Sequence, residues 1–206
     1  MKMVPADASR YELRVRGPNI TPGYWKQPEL TAAAFDDEGF YKMGDAGRFA
    51  DPVDPSQGIE FAGRLAEDFK LTSATWVHVG ALRVRGIAAM PSIAQDIVIA
   101  GHDRDEIAFL IFPKAGTDIR NPDVREDVRR GMAALREEGG GCSTYATRAI
   151  LLEEPPVIDA GEITDKGYIN QRAVLERRAE LVKKLYAEPG EPVDEAVIWI
   201  DNDYPT

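Results

Sequence analysis

Two apolar, β-branched runs, Asp96–Gly101 (DIVIAG) and Ile107–Phe112 (IAFLIF), stand on either side of the short charged stretch His102–Glu106. Runs of this kind joined by a tight polar link predict a β-hairpin. Helical signals flank it. Val79–Ala89 reads as one helix. Asn121 begins another: Pro122 suits its first turn, Asp123 and Glu126 complement its N-terminal dipole, and Gly139 stops it. Ala149–Leu152 reads as a further strand. Ile169–Tyr186 has the clearest helical periodicity, with Val174, Leu175, Leu181, Val182 and Leu185 on one face and Pro189-Gly190 as its end. Phe69–Leu71 reads as a strand before these elements, and Ala196–Ile200 as an edge strand or ordered arm after them. The fold class expected from this order is α/β (α+β), a small sheet with helices packed on it.

The first third of the chain reads differently. Tyr11–Arg16 alternates as a strand does, and Gly17-Pro18-Asn19 ends it. Pro22-Gly23-Tyr24-Trp25 is a turn followed by aromatics, and Pro28–Phe35 reads as a short helix opened by its proline. Asp36–Gly39 forms a polar turn that feeds Phe40 and Tyr41 into a short strand. Ala46–Ala50 and Gly58–Ala62 are expected as two more strands, joined by a surface excursion over Pro52–Gln57. This β-rich piece is too thin for a large core of its own and is expected to lean on another domain.

Length and charge narrow the function. At 206 residues the chain holds one domain or two small ones, and its net charge of −10 argues against a nucleic-acid surface, which rests on cations facing phosphates. Cys142 is the single cysteine, so no intrachain disulfide forms. No run is long enough for a transmembrane helix, and Met1–Ser9 lacks the apolar core of a signal peptide; a cytoplasmic protein is expected. His78 and His102 lack the spaced partners of a zinc site, so no protein-held metal is expected. No serine triad is recognisable. Gly139-Gly140-Gly141 follows a helix and reads as its stop, not as a phosphate loop. The basic residues from Arg172 to Lys184 interleave with Glu176 and Glu180 and read as a solvated helix face.

Three short motifs carry chemistry when taken together. They are Tyr41-Lys42-Met43-Gly44-Asp45, then Gly63-Arg64-Leu65-Ala66-Glu67-Asp68-Phe69-Lys70, and finally Gly161-Glu162-Ile163-Thr164-Asp165-Lys166-Gly167. In this order and spacing the chain resembles the adenylate-forming ligases: acyl-CoA synthetases, luciferases and the adenylation domains of peptide synthetases. Glu67–Lys70 with Thr75-Trp76-Val77, Ala100–Glu106 and Gly161–Gln171 look most like feruloyl-CoA synthetases.

The resemblance implies roles for particular residues. Asp45 would accept hydrogen bonds from the ATP ribose, Arg64 would meet the ribose and phosphates, and Lys70 would touch the nucleotide. Ala66 and Glu67 would form the hinge between a large domain and a small mobile one. Thr72, Ser73 and Trp76 would line a tunnel for the pantetheine arm of CoA. Lys166 would offset the negative charge that gathers as a carboxylate attacks the α-phosphate. Plainer readings stand beside these: Asp45 as a solvated turn residue, Arg64 in a surface ion pair with Glu67, Lys70 solvated, Trp76 in packing, and Lys166 as an exposed turn lysine. Met43, Ala66, Thr72–Trp76 and Gly80 depart from the wording of most relatives.

The implied layout has residues 1–65 as the end of the large N-terminal domain, 66–188 as the small domain and 189–206 as a tail. The implied reaction adenylates a carboxylic acid, a hydroxycinnamate such as ferulate, with ATP and Mg²⁺, then transfers the acyl group to CoA. The phosphate loop and acid pocket are expected in a large domain outside this sequence, and the chain alone is expected to be inactive. A non-catalytic binding module, or an adenylation domain that loads a carrier protein, are the alternatives.

Overall fold

In the computed structural model, residues 1–186 and 195–201 are described. They divide into two compact units, Met1–Asp68 and Phe69–Thr206. The sequence sets the change of character at residues 65/66, three positions earlier.

The first unit is an antiparallel sheet of four strands in sequence order, β1 (Lys2–Pro5), β2 (Tyr11–Val15), β3 (Tyr41–Phe49) and β4 (Ile59–Arg64). Helix α1 (Pro28–Ala34) lies between β2 and β3 in the chain, with its proline at the start as expected. The two strands expected from Tyr41 and from Ala46 are one nine-residue strand. What disguised it is a bulge. Between Glu12 and Arg14 of β2 the partner on β3 jumps from Ala46 to Lys42, and Gly44 at φ +74° supplies the left-handed backbone inside that jump.

Ala46 is the one apolar side chain of this unit that is buried. Charges hold what the core does not. The buried Arg10 donates from Nε to Asp7 Oδ2 at 2.8 Å, from Nη1 to the Ala62 carbonyl at 3.1 Å and from Nη2 to Asp68 Oδ2 at 2.6 Å. Asp36 accepts the Phe40 backbone N–H and side-chain bonds from Arg14 and Lys2, which hold its carboxyl far below the usual range.

The second unit opens with a two-stranded ribbon, β5 (Phe69–Lys70) and β6 (Trp76–Val77). Helix α2 (Val79–Ala89) follows, then β7 (Ala94–Ala100) and β8 (Ala108–Pro113), which form the expected antiparallel hairpin. Helix α3 (Pro122–Glu137) starts where Asn121 accepts the Asp123 N–H at 2.9 Å. Strand β9 (Arg148–Leu151) pairs parallel to β8, and β10 (Val197–Trp199) pairs antiparallel to β9, giving the order β10-β9-β8-β7. Of the two readings given to Ala196–Ile200, the edge strand is the one formed.

Both sheet faces are covered. Ile97, Ile99, Phe109 and Ile111 pack with Val79 and Leu82 of α2 and Val128, Met132 and Leu135 of α3. Val98, Ala100, Leu110 and Phe112 pack on the other face with Val174 and Leu185. Helices α2 and α3 approach closely because Gly131 leaves room: a Cβ there would stand 2.4 Å from Met90 Cγ.

The long helix expected over Ile169–Tyr186 is two helices, α4 (Gln171–Arg177) and α5 (Ala179–Leu185), broken at Arg178 (φ −101°, ψ 29°). Its expected end at Pro189-Gly190 lies outside the described residues. No described helix is long and apolar enough to cross a membrane.

The Arg10 clamp yields a test. Arg10→Ala removes the guanidinium that meets the Asp68 carboxylate, whose side chain is only 2% exposed. Removing one partner of a buried pair costs about 3–5 kcal/mol. Hydrogen exchange of β2–β4 amides should accelerate while that of β7 and β8 is unchanged. Equal acceleration in both units, or none in β2–β4, would contradict the role given to Arg10.

Candidate functional site

Strand pairing builds the first cluster. Asp45 on β3 stands opposite Arg64 at the end of β4, and Arg64 Nε lies 3.3 Å from Asp45 Oδ1. The turn expected around Asp45 is instead this bulged strand. Asp45 Oδ1 is buried without a hydrogen-bond partner, whereas the Arg64 side chain is 57% exposed. A carboxylate beside an exposed guanidinium fork suits a ligand that offers hydroxyl donors and anionic oxygens together. Met43, two residues before Asp45, is exposed and offers no hydroxyl.

The joint follows directly. Buried Gly63 takes φ +96°, and Leu65–Glu67 form a single 3₁₀ turn closed by the Asp68 N–H on the Leu65 carbonyl at 3.3 Å. Ala66 is exposed in the middle of that turn, Glu67 is half-buried, and Asp68 is held by Arg10.

The second cluster is the β5–β6 ribbon. Lys70 pairs with Trp76 across it, and the Lys70 ammonium lies 4.9 Å from the centre of the Trp76 ring. Of the residues expected to line a tunnel, Thr72 and Ser73 lie in its tight turn and Trp76 on β6 itself. Ala74 takes φ +62°, its N–H bonds the Leu71 carbonyl at 2.9 Å, and the Leu71 N–H bonds the Thr75 carbonyl at 3.0 Å. Ser73 bonds Thr75 through their hydroxyls at 3.0 Å. Thr72 donates its N–H to the Arg104 carbonyl at 3.0 Å and its hydroxyl to Asp105. Trp76 is 46% exposed, so it presents an aromatic face rather than filling the core.

Lys166 stands at the tip of a third element. Ile163 and Ile169 bridge as a minimal hairpin, the Thr164 N–H bonds the Tyr168 carbonyl at 2.8 Å, and the Gly167 N–H bonds the Thr164 carbonyl at 2.9 Å. Gly167 turns the tip at φ +82°, and Lys166 is exposed. At the base, Glu162 is fully buried and its carboxylate meets the buried Arg178 at 2.8 and 3.0 Å. Chiefly through that contact, Glu162 is held at a pKa of about 2.

Arg178 is therefore an exception to the solvated face expected for Arg172 to Lys184. Its position was a usable signal: residue 178 falls on the same helical stripe as Val174, Val182 and Leu185, where a charge has to be buried and paired. Gln171 is the other residue that sequence reasoning missed. It is buried, with its amide bonded to the backbone of β7.

The described residues hold no group of three or more His, Cys, Asp or Glu side chains placed for a metal ion. The Mg²⁺ implied by the resemblance thus finds no ligand cluster among them.

No family model matches the chain. By sequence it is similar to the long-chain-fatty-acid–[acyl-carrier-protein] ligase AEE15 of Arabidopsis thaliana, 24% identical over 184 residues, covering 85% of this chain and 25% of that protein. It is also similar to malonate–CoA ligase ACSF3 of Mus musculus, 28% identical over 191 residues, covering 87% and 28%. The chain thus spans about a quarter of the length of these curated relatives. Among solved structures it is similar to the adenylation domain of the carboxylate reductase GR01_22995 from Mycobacterium chelonae. That likeness has a TM-score of 0.74 at 24% identity and covers 91% of this chain and 31% of that one. The fold is that of the adenylation domains of adenylate-forming enzymes, and the relatives support for this chain the family of adenylate-forming acyl-CoA and acid ligases.

Proposed function

We propose that the chain works as the C-terminal part of an ATP-dependent acid–CoA ligase, joined to a large domain that carries the phosphate loop and the acid pocket. The observation that carries this reading is the Asp45–Arg64 pair, a carboxylate beside an exposed donor fork. A ribose offers two adjacent hydroxyls to the first, and phosphate oxygens suit the second. In the first step a carboxylate oxygen of the acid attacks the α-phosphorus of ATP. The bond to pyrophosphate breaks, leaving an acyl-adenylate. Lys166 brings a positive charge to the crowded anionic centre. In the second step the thiol sulfur attacks the acyl carbonyl, and AMP leaves as the thioester forms.

The small unit turns about Ala66 and Glu67 between the steps, exchanging the Lys166 hairpin for the β5–β6 ribbon. There Thr72, Ser73 and Trp76 line the path of the pantetheine arm, while Lys70 serves the nucleotide. The acid is a hydroxycinnamate such as ferulate, on the likeness of residues 67–70, 75–77, 100–106 and 161–171. A second reading, in which the thiol belongs to a carrier protein, is favoured by the likeness to the acyl-carrier-protein ligase of Arabidopsis. Offering the enzyme CoA or a phosphopantetheinylated carrier separates the two.

Two variants test the roles, each assayed for adenylation and for thioester formation from supplied acyl-adenylate. Lys166→Ala should slow adenylation by roughly a hundred- to a thousand-fold, the usual effect of losing one transition-state donor, about 3–4 kcal/mol. Thioester formation should change far less. Equal losses in both steps would make Lys166 a structural residue, and no loss would remove it from the chemistry.

Ala66→Pro should leave adenylation largely intact and cripple thioester formation. Proline fixes φ near −65° and disfavours the helical region for Leu65 before it, so only one of two hinge arrangements survives unstrained. Wild-type rates in both steps, in a variant with an unchanged melting curve, would move the hinge elsewhere.

A further inference from the structure

We infer that Glu162, Arg178 and Gln171 are positioning residues for Lys166, holding both ends of its hairpin so that the ammonium is presented on a fixed arm. The inference rests on the adenylation role proposed for Lys166. Upstream, Arg178 uses its whole fork. Nε and Nη2 grip the two oxygens of Glu162, Nη1 donates to the Glu154 carbonyl at 2.9 Å and Nη2 to the Pro155 carbonyl at 3.0 Å. Glu162 Oε2 also accepts the Val157 N–H at 2.8 Å, and the Glu162 carbonyl accepts the Asn170 N–H at 2.9 Å. One buried pair thus ties the segment entering the hairpin, the start of its stem and the junction of α4 with α5.

Downstream, Gln171 extends the sheet. Its Oε1 accepts the Ile99 N–H at 2.9 Å and its Nε2 donates to the Ile97 carbonyl at 3.0 Å, on the edge of β7 that no other strand occupies among the described residues. A side-chain amide is here doing what a neighbouring strand does, satisfying both groups of a buried edge. Between these anchors, Ile163 and Ile169 close the stem and Thr164–Tyr168 form the tip.

Geometry, rather than stability alone, explains this choice of residues. Apolar side chains of similar size often stabilise a core as well as a buried ion pair. They cannot fix direction. An Arg fork on a carboxylate sets both distance and angle, and this fork sits at the residue where α4 gives way to α5.

The test uses the 206-residue chain with Glu162→Gln, Arg178→Lys and Gln171→Ala. Exchange of the Thr164 and Gly167 amides should rise on the order of tenfold or more while that of Val98 and Leu110 stays as in the wild type, the mark of a local opening. Arg178 and, at 3.4 Å, Arg177 face the Glu162 carboxylate, with Glu154 beside them, and hold it at about 2 rather than the ordinary 4.5. The pair is therefore fully formed above pH 4.5 and is lost as the pH falls toward 2. The amide signals of Gly161 and Gly167 should shift with that low midpoint, and Glu162→Gln should abolish the shift.

In the enzyme with its large domain, each variant should lower kcat for adenylation more than it raises KM for ATP. Adding Lys166→Ala should then cost less than it does alone. Unchanged hairpin exchange in a folded variant, an equal rise in the core amides, or failure of all three variants to fold would each overturn the inference. Should Lys166→Ala spare adenylation while the hairpin still loosens, the proposed function fails and the anchoring stands.

Discussion

The second unit depends on a strand that is buried on both sides. In β8, Phe109 and Ile111 face one layer of helices and Ala108, Leu110 and Phe112 the other, with almost no exposed surface. A strand of this kind needs cover on each face, and α2 with α3 supplies one layer while α4 with α5 supplies the other. Each large side chain so buried contributes about 1.5–3 kcal/mol. The first unit has nothing comparable. With Ala46 as its buried apolar residue, it relies on the Arg10 clamp and on Asp36. Exposed Tyr24, Trp25, Met43 and Phe61 add apolar surface that the unit does not itself cover. Rigidity therefore belongs to the part that holds Lys166.

What the sequence made legible follows from how local each signal is. Helix α3 was readable to the residue at its start because Asn121, Pro122 and Asp123 act within one turn. The β7–β8 hairpin was readable because its two runs and the link between them are contiguous. The break at Arg178 was not, since helical periodicity continues through it and Arg178's partner, Glu162, lies in another element. The bulge in β3 was hidden for a similar reason. Gly44 and Asp45 look like a turn until Arg14 and Lys42 pair beyond them. Strand β6 is too short to announce itself, and the parallel pairing of β8 with β9 joins residues that α3 separates.

The candidate site divides in the same way. Motif wording singled out Asp45, Arg64, Lys70 and Lys166, but not their geometry. That Arg64 stands opposite Asp45 depends on the register of β3 and β4, and that Lys70 lies over Trp76 depends on the pairing of β5 with β6. Glu162 lay inside a recognised motif without a role. Its role became visible only through its burial, because a carboxylate with no exposed surface demands a cation and donors.

The joint and the Lys166 hairpin share one device: each has an arginine fork that closes on a buried carboxylate and on a backbone carbonyl. For the joint this constrains the proposed swing. Asp68 lies downstream of Ala66, so a rotation about Ala66 carries Asp68 away from Arg10 and has to break that contact. A pivot at the Asp68–Phe69 linkage, where the compact units divide, leaves it whole. A swing about Ala66 thus makes Arg10 a latch that favours the arrangement in which it is closed. The hairpin is under no such demand. Its anchors, Arg178 on Glu162 and Gln171 on β7, all lie within the second unit, so the swing proposed above breaks none of them.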